Sequence, residues 1–304
     1  MEQNAADLAR LPPRVLEAEA RAPELAAERQ QARAQRDAAV RGVTSVAAMR
    51  SAIQQATSAL PLIASVPRYR SMDAAQFRAL ATQGQPFMLT ELVGRWPLSQ
   101  MDIDVLRQQY SQMPVRARVG DYINTAFAPD RAMLDMTMGA YLDLIAAGAY
   151  ALPPYLGNLE LRELNRLCHW PTYFDKMGPP RFWIGPAGTI TPLHADYDDN
   201  IFAQIWGRKR IMLAPPHHEP YLYVKPANEI LIGSPVDAEA PDYQRYPLAQ
   251  QASLIECIVE AGQLLYIPAG WYHQVHALDF SLSANRWARA LPLVLSHNDL
   301  GVRA

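Results

Sequence analysis

Cysteine is nearly absent from this chain: Cys168 and Cys257 are the only two in 304 residues. That is too few for a disulfide framework or a zinc knuckle. Neither sign of charge is in excess, with 28 Lys and Arg against 30 Asp and Glu and a formal net charge of −2. No long basic block stands ready to neutralise phosphates, so a nucleic-acid partner is not expected. Nor is there a run of about eighteen apolar residues, the length that a membrane-spanning helix needs. The opening stretch MEQNAADLARLPPRVLEAEA is charged and has no apolar core, so no secretory signal is expected. What remains is the profile of a soluble, cytoplasmic protein, half hydrophobic and long enough to bury a full core.

Residues 1–60 are rich in Ala, Arg, Gln and Glu and almost free of aromatics. Leu8, Leu11, Val15, Ala18, Ala22 and Leu25 recur at helical steps, and the register continues through Ala32, Ala39, Val43 and Val46. Gly42 reads as a helix stop, Thr44 or Ser45 as the next cap, and Pro61 as its end. The spacing predicts an N-terminal extension of two helices ahead of a domain over 61–304. Its thin apolar seam needs a surface to pack on, either that domain or a second copy in a homodimer.

From Pro67 the composition turns mixed and aromatic. Asp73 reads as a helix cap, Pro86–Leu89 as a short strand and Ile103–Tyr110 as a helix. A strand follows near Val115–Val119, then a helix over Tyr141–Ala147 stopped by Gly148, and a helical patch at Leu161–Leu167. Past Pro179-Pro180 come short strands set off by Gly and Pro: Arg181–Gly185, Thr191–Asp196, Asn200–Gly207, Lys209–Ala214, Leu254–Val259, Gln263–Ile267, Tyr272–Ala277 and Asp279–Trp287. This rhythm predicts a mainly β fold with helical additions, its jelly-roll core over about residues 180–290. Pro215 to Ser253 reads as a long loop-like insertion, rich in Pro, Tyr and acidic residues, of the sort that carries substrate recognition.

The chemistry concentrates in TPLHADYDDNIFAQIWGRKR, Thr191 to Arg210. His194 and Asp196 are two apart, so in a strand both point to one face. Alone this pair is a weak signal. Two His and one carboxylate on one face, with open positions opposite, suit a non-haem Fe(II) oxygenase; the second His is expected from LLYIPAGWYHQVH, at His273. Asn200, Phe202, Gln204 and Trp206 alternate with Ile201, Ala203 and Ile205, and Ser281, Ser283, Asn285 and Trp287 with Leu282 and Ala284. Amides on a cavity-lining face need a polar occupant. Lys209 shares its face with Ile211 and Leu213, and an inward ammonium needs an anion. A cosubstrate carboxylate would supply one, with the Thr191 hydroxyl as a second donor.

These stretches, with VDAEAPDYQRYP, EAGQLLYIPAGWYH and SLSANRW, resemble the JmjC-type, cupin-like Fe(II)/2-oxoglutarate dioxygenases, in particular the asparaginyl hydroxylase that inhibits the hypoxia-inducible factor. The likeness covers roughly Arg68 to Arg289. It implies a double-stranded β-helix in which His194, Asp196 and His273 hold Fe(II). It further implies that Lys209, Thr191 and Tyr155, the last in PPYLGN, anchor the distal carboxylate of 2-oxoglutarate. Asn200 and Asn285 would lie near its chelating end, and Trp287 beside them on the pocket wall. The implied activity is oxidative decarboxylation of 2-oxoglutarate coupled to hydroxylation of a substrate C–H.

The chain departs from that relative at Ala195, where the relative has a bulky aromatic, and in its short segment Ala288–Ala304, which puts the C-terminal dimer interface in doubt. His276 is three past His273, on the opposite strand face, and is not expected to be a ligand. His217-His218 reads as a solvated loop, and His169 and His297 carry no motif. The expected substrate is a side chain in a protein or peptide, with a small metabolite second and tRNA third. A non-catalytic cupin-like binding protein is the reading from a different class.

Overall fold

The structure is a computed structural model that describes residues 53–288, apart from 55–56, 59, 129–130, 149, 175–176 and 229–230. The expected N-terminal helices lie almost wholly outside the described residues, as does the segment after Ala288.

The segment before the barrel is built from short elements with clear local causes. Strand β1 (Arg68–Tyr69) leads to helix α1 (Ala74–Ala81), which opens on a capping box: Asp73 accepts the Gln76 N–H at 2.8 Å and Gln76 accepts the Asp73 N–H at 3.1 Å. The helix buries Phe77, whose ring meets Phe87, Tyr173, Phe174 and Tyr266 at 4.0 to 5.8 Å. After β2 (Phe87–Leu89) comes α2 (Ile103–Tyr110), capped by Asp102. Strands β3 (Pro114–Arg118) and β4 (Met133–Thr137) form an antiparallel pair. Helix α3 (Met138–Ala147) ends at Gly148, whose left-handed φ of 65° makes it the stop that glycine predicts. Strand β5 (Leu156–Leu159) is followed by a single turn, α4 (Arg162–Asn165), shorter than the expected patch because turns close it at Leu167 and Cys168.

The barrel strands are β6 (Arg181–Gly185), β7 (Ile190–Asp196), β8 (Asp199–Trp206), β9 (Lys209–Ala214), β10 (Lys225–Asn228), β11 (Leu231–Gly233), β12 (Ile255–Val259), β13 (Leu264–Ile267), β14 (Tyr272–Ala277) and β15 (Ser281–Ala288). Among the described residues they sort into a sheet ordered β1-β2-β13-β8-β15-β6-β5 and one ordered β10-β11-β7-β14-β9-β12. From β6 to β9 and again from β12 to β15 the chain steps from one sheet to the other. This is the expected double-stranded β-helix, mainly β with helical additions. The β8–β9 turn needs Gly207: its φ is 65°, and a Cβ there would collide with the Phe280 carbonyl.

Strand alternation sets up three layers. Leu264 and Tyr266 face outward into a cluster with Ile201, Ala203, Leu282 and Phe77. Leu265 and Ile267 face inward, with Phe202, Ile211, Leu213 and Val275, between the sheets. On the far side of the second sheet, Leu193, Ala195 and Tyr272 are covered by Ile232, Val236 and Ala238.

Three expectations need correction. The stretch from Pro215 to Ser253 is not simply a loop: it carries 3-10 turns at Pro216–Tyr221 and Pro247–Gln251 and the hairpin β10–β11, and β11 extends the second sheet by pairing with β7. His217-His218 sits in the first of those turns, half-buried, with the Ser253 N–H donated to His218 Nδ1 at 2.8 Å; it is not a solvated loop. Trp206 does not share the cavity face of β8. A register shift opposite Leu282–Ser283 turns it to the outer cluster, where its indole donates to Leu98 O, while Gln204 donates to Trp206 O.

Candidate metal centre

His194 and Asp196 lie on β7, and His273 faces His194 across the β7–β14 ladder. The three offer ligand atoms within 4.8 Å of one another, a group that could hold a metal ion. The imidazole centroids are 4.2 Å apart, and His273 Nε2 is 3.9 Å from Asp196 Oδ2. Each imidazole is turned by the same local device. His194 Nδ1 lies 2.8 Å from Pro192 O, and His273 Nδ1 lies 3.0 Å from Trp271 O. A carbonyl oxygen only accepts, so both Nδ1 atoms carry the proton and both Nε2 lone pairs are left for a cation. Burial, reinforced by the neighbouring His273 ring, holds the His194 imidazole down at about 4, so that ring is neutral and ligand-ready. Trp287 donates its indole N–H to Asp196 Oδ2 at 2.8 Å, which fixes the carboxylate.

The turn that delivers His273 is itself pinned. Asp199 accepts from Tyr266 Oη at 3.1 Å and from the Ala269 N–H at 3.0 Å, and the Gly270 N–H donates to Asp196 O at 2.7 Å. Trp271 anchors the other side through its indole to Gly84 O. The PAGW run thereby becomes a rigid hinge between the two ligand-bearing strands.

Thr191 is an odd-numbered residue on a strand whose ligands are even-numbered, and strict alternation would turn it away. The ladder shows why it is not: His273 pairs with His194, but Val275 pairs with Thr191, an extra residue on β7. This bulge falls at Pro192-Leu193, where Pro, lacking an N–H, is tolerated. It returns Thr191 to the ligand face.

One pocket collects the triad together with Thr191, Tyr155, Asn200, Lys209, Asn285 and Trp287. Lys209, 1% exposed, donates to Ser283 Oγ at 2.7 Å, between the rings of Tyr155 and Phe202, each 5.7 Å away. Among the described residues no carboxylate pairs with it, and burial pulls it down to about 7. Asn285 Nδ2 donates to Asn200 Oδ1 at 3.0 Å, and Asn285 Oδ1 is buried without a partner. Burial pushes the Tyr155 phenol well up, against the Thr191 hydroxyl beside it. The donor set thus fits both a divalent metal and an anion beside it: two imidazoles with Nε2 turned inward and a carboxylate, then an ammonium with no carboxylate partner and an unsatisfied amide.

Trp183, Ser283 and Val275 adjoin this group and were not singled out as site residues. The alternation of β6 and β15 held the signal for the first two: Phe182 and Ile184 face the outer core, so Trp183 faces the cavity. His276 lies outside the pocket, its Nδ1 3.0 Å from Glu239 Oε1. Ala195 points away from the metal face into the cluster beneath the insertion, so its small size bears on that packing and not on the pocket.

Residues 73–292 match the cupin-like domain family. The chain is 44% identical over 105 residues to lysine-specific demethylase 8 of Xenopus tropicalis, covering 34% of this chain and 24% of that protein. It is 36% identical over 124 residues to tRNA wybutosine-synthesizing protein 5 of Gallus gallus, 40% of this chain and 38% of the relative. It is also 32% identical over 160 residues to the human bifunctional peptidase and (3S)-lysyl hydroxylase JMJD7, 45% of this chain and 48% of the relative. The matched stretches span less than half of each of these three proteins. With the fold, the triad and the match over 73–292 in agreement, the chain belongs to the cupin-like domain family, the JmjC-type Fe(II)/2-oxoglutarate oxygenases.

Proposed function

We propose that this chain is an Fe(II)- and 2-oxoglutarate-dependent oxygenase that hydroxylates a side chain in a protein or peptide. The observation that carries the reading is Lys209: a fully buried ammonium with only a serine for a partner, in the same pocket as an open His/Asp/His triad. Such a charge is costly unless an anion comes to it. A non-catalytic cupin has no use for the pairing of the two.

In this reading His194, Asp196 and His273 hold Fe(II), with Trp287 keeping the Asp196 carboxylate in place. Lys209 receives the distal carboxylate of 2-oxoglutarate, with the Thr191 and Tyr155 hydroxyls as flanking donors. Asn200 and Asn285, linked to each other, present amide groups to the cosubstrate's other end. Fe(II), with 2-oxoglutarate and O₂ as cosubstrates, would supply the oxidative decarboxylation of 2-oxoglutarate to succinate and CO₂, one atom of O₂ ending in succinate and the other inserted into a substrate C–H bond. The chain's own part is to hold the ligands preorganised, screen the cosubstrate from water and orient it.

A protein or peptide substrate is supported by two relatives named for lysine chemistry, a demethylase and a lysyl hydroxylase. It is also supported by the groove that the insertion builds outside the pocket, with Phe127, Val236 and Tyr246 on its walls. The test is to incubate the protein with lysate proteins, Fe(II) and 2-oxoglutarate and map added oxygen by mass spectrometry. The expected outcome is a 2-oxoglutarate-dependent gain of one oxygen at a defined side chain. Succinate formation driven by a metabolite or tRNA fraction, with no protein modified, overturns the substrate class. No succinate under any condition overturns the activity.

A further inference from the structure

Arg118 is a second buried cation near the metal pocket, and the roles assigned so far leave it without one. It ends β3 and faces Tyr155 across an isolated antiparallel bridge, its N–H donating to Tyr155 O at 2.8 Å and the Tyr155 N–H to Arg118 O at 3.0 Å. Opposed residues in such a bridge send their side chains to the same side. Tyr155 enters the metal pocket, and the Arg118 guanidinium stands beside it, Cζ 5.8 Å from the ring centroid.

The residue is 6% exposed, yet among the described residues its guanidinium makes no hydrogen bond and no ion pair, and Nε is buried without a partner. Other arginines of the chain place at least part of the fork: Arg131 also leaves Nε without a partner but donates through Nη1 to Ala126 O and Ala128 O, and Arg286 donates to Gly178 O and Met177 O. Five donors in a planar fork are costly to bury idle. No carboxylate pairs with Arg118 among the described residues: burial lowers it most, the Tyr155 and Tyr122 phenols pull the other way, and the Arg131 cation adds to the lowering.

The chain also makes room for this group. Gly157, two past Tyr155, carries no side chain, and a Cβ there would lie 2.8 Å from Arg118 Cζ and 2.9 Å from Nε. Both cations stand at the Tyr155 ring, Arg118 Cζ 5.8 Å and Lys209 Nζ 5.7 Å from its centroid. They reach it from different elements: Lys209 from β9, held by Ser283 of β15 and lying by Phe202 of β8, and Arg118 from the end of β3 across the bridge to Tyr155.

We propose that Arg118 receives a carboxylate of the primary substrate, bound bidentately beside Tyr155 while the cosubstrate occupies Lys209. The proposal rests on the oxygenase reading above. The carboxylate belongs either to an acidic residue of a peptide or to a free acid.

The test uses the full chain loaded with Mn(II) in place of Fe(II) and saturated with 2-oxoglutarate, so that free acids cannot be captured at Lys209. One arm measures binding of a peptide pool containing Asp and Glu against the same pool with Asn and Gln. The other compares N-acetylglutamate with N-acetylglutamine. In at least one arm the acid should bind about tenfold to a hundredfold tighter than the amide, the span of a charge-assisted hydrogen bond. The responding arm identifies the source. Arg118→Gln should erase that preference and leave 2-oxoglutarate affinity within about twofold, with Arg118→Lys recovering part of it.

Gly157→Ala is the second variant, because it keeps the charge and only displaces the flexible guanidinium. It should reduce the preference several-fold with the fold intact. The proposal is overturned if neither arm prefers the acid, if the preference survives in Arg118→Gln or is undiminished in Gly157→Ala, or if Arg118→Gln loses 2-oxoglutarate. Wild-type protein that fails to bind 2-oxoglutarate before any acid is added overturns the oxygenase reading, and this proposal with it.

Discussion

The barrel from β6 to β15 and the segment before it, residues 68–174, both reach the pocket, but by different means. The barrel supplies the triad, Thr191, Asn200, Lys209, Asn285 and Trp287 from long strands hydrogen-bonded on both sides. The earlier segment supplies Tyr155, from just before the edge strand β5 and backed by Arg118 across a single two-residue bridge; it adds β1, β2 and β5 to the ends of the first sheet and packs its Phe77 cluster against that sheet's outside. The barrel therefore holds a metal geometry, and the earlier segment decides what else fits next to it. The comparison predicts that damage to barrel residues abolishes chemistry, while damage before the barrel changes recognition or only stability.

The largest effect is expected for His194→Ala, Asp196→Ala and His273→Ala. Each should bring 2-oxoglutarate turnover to background with the melting transition retained, because the core strands owe their stability to the inward and outward apolar layers and not to the ligands. His276→Ala, on the other face of β14, should keep most activity. Turnover assays beside circular dichroism read both, and an active His273→Ala with a dead His276→Ala would break the assignment.

Next in size is the anchor. Lys209→Met keeps the volume and removes the charge, and should weaken 2-oxoglutarate by about a hundredfold while Fe(II) affinity holds, since only the cosubstrate carries the anion. The same lysine gives a pH dependence whose sign is fixed by its lowered value of about 7. Below that pH the free protein already carries the charge. Above it the lysine is neutral and must take up a proton on binding, so affinity should fall by up to about tenfold per pH unit. Folding runs the other way: the unfolded lysine binds the proton that the folded one has lost, so this group makes the ligand-free protein more stable as pH rises from about 7 toward 10.5. Calorimetry at pH 6 and pH 8.5 in two buffers of different ionisation enthalpy should show proton uptake only at the higher pH. Equal uptake at both would remove the buried-lysine account.

Smaller again is Trp287→Phe, which keeps an aromatic wall but removes the hydrogen bond to Asp196 Oδ2. Metal affinity should drop about tenfold, the low end for loss of a group that orients a ligand. Competition with a chelator reads it, and an unchanged affinity would show that the carboxylate is held by the strand alone.

The contrast between the two regions also marks how far the sequence could be read. Barrel strands announce themselves by period-2 alternation between Gly and Pro, so the ends of β6, β9 and β14 fall where the residues place them. His194, Asp196 and His273 needed only that periodicity and a cross-strand partner. Thr191 needed more, because the bulge at Pro192 reverses its parity: strand alternation would turn it away, and it is reached as a second donor for the anion at Lys209 and by likeness to a family. Trp206 fails for the same physical reason in the opposite direction: an extra residue on β8, opposite Leu282–Ser283 of β15, turns it out. The hairpin β10–β11 was hidden because its pairing with β7 is long-range and its strands are only four and three residues long. Arg118 gives no local signal at all. Its burial depends on a bridge to Tyr155 thirty-seven residues on and on the missing side chain of Gly157, neither visible from its neighbours.

The smallest effect tests the other side of the comparison. Helix α1 carries no pocket residue; it presses Phe77 onto Tyr173, Phe87 and Tyr266 behind the first sheet. Its start depends on the reciprocal bonds between Asp73 and Gln76, both exposed to solvent. Asp73→Ala removes the acceptor for the Gln76 N–H and should cost about 1 kcal/mol, the usual loss at an N-cap. Tyr266 lies between this cluster and the pocket, since its hydroxyl donates to Asp199, which also holds the turn before His273. If the outer cluster merely packs, denaturant midpoints shift by that amount and metal and 2-oxoglutarate affinities stay as they were. If the affinities fall together with stability, the strain passes through Tyr266 and Asp199 to the hinge, and the division between a barrel that does the chemistry and a segment that only supports recognition and packing does not hold.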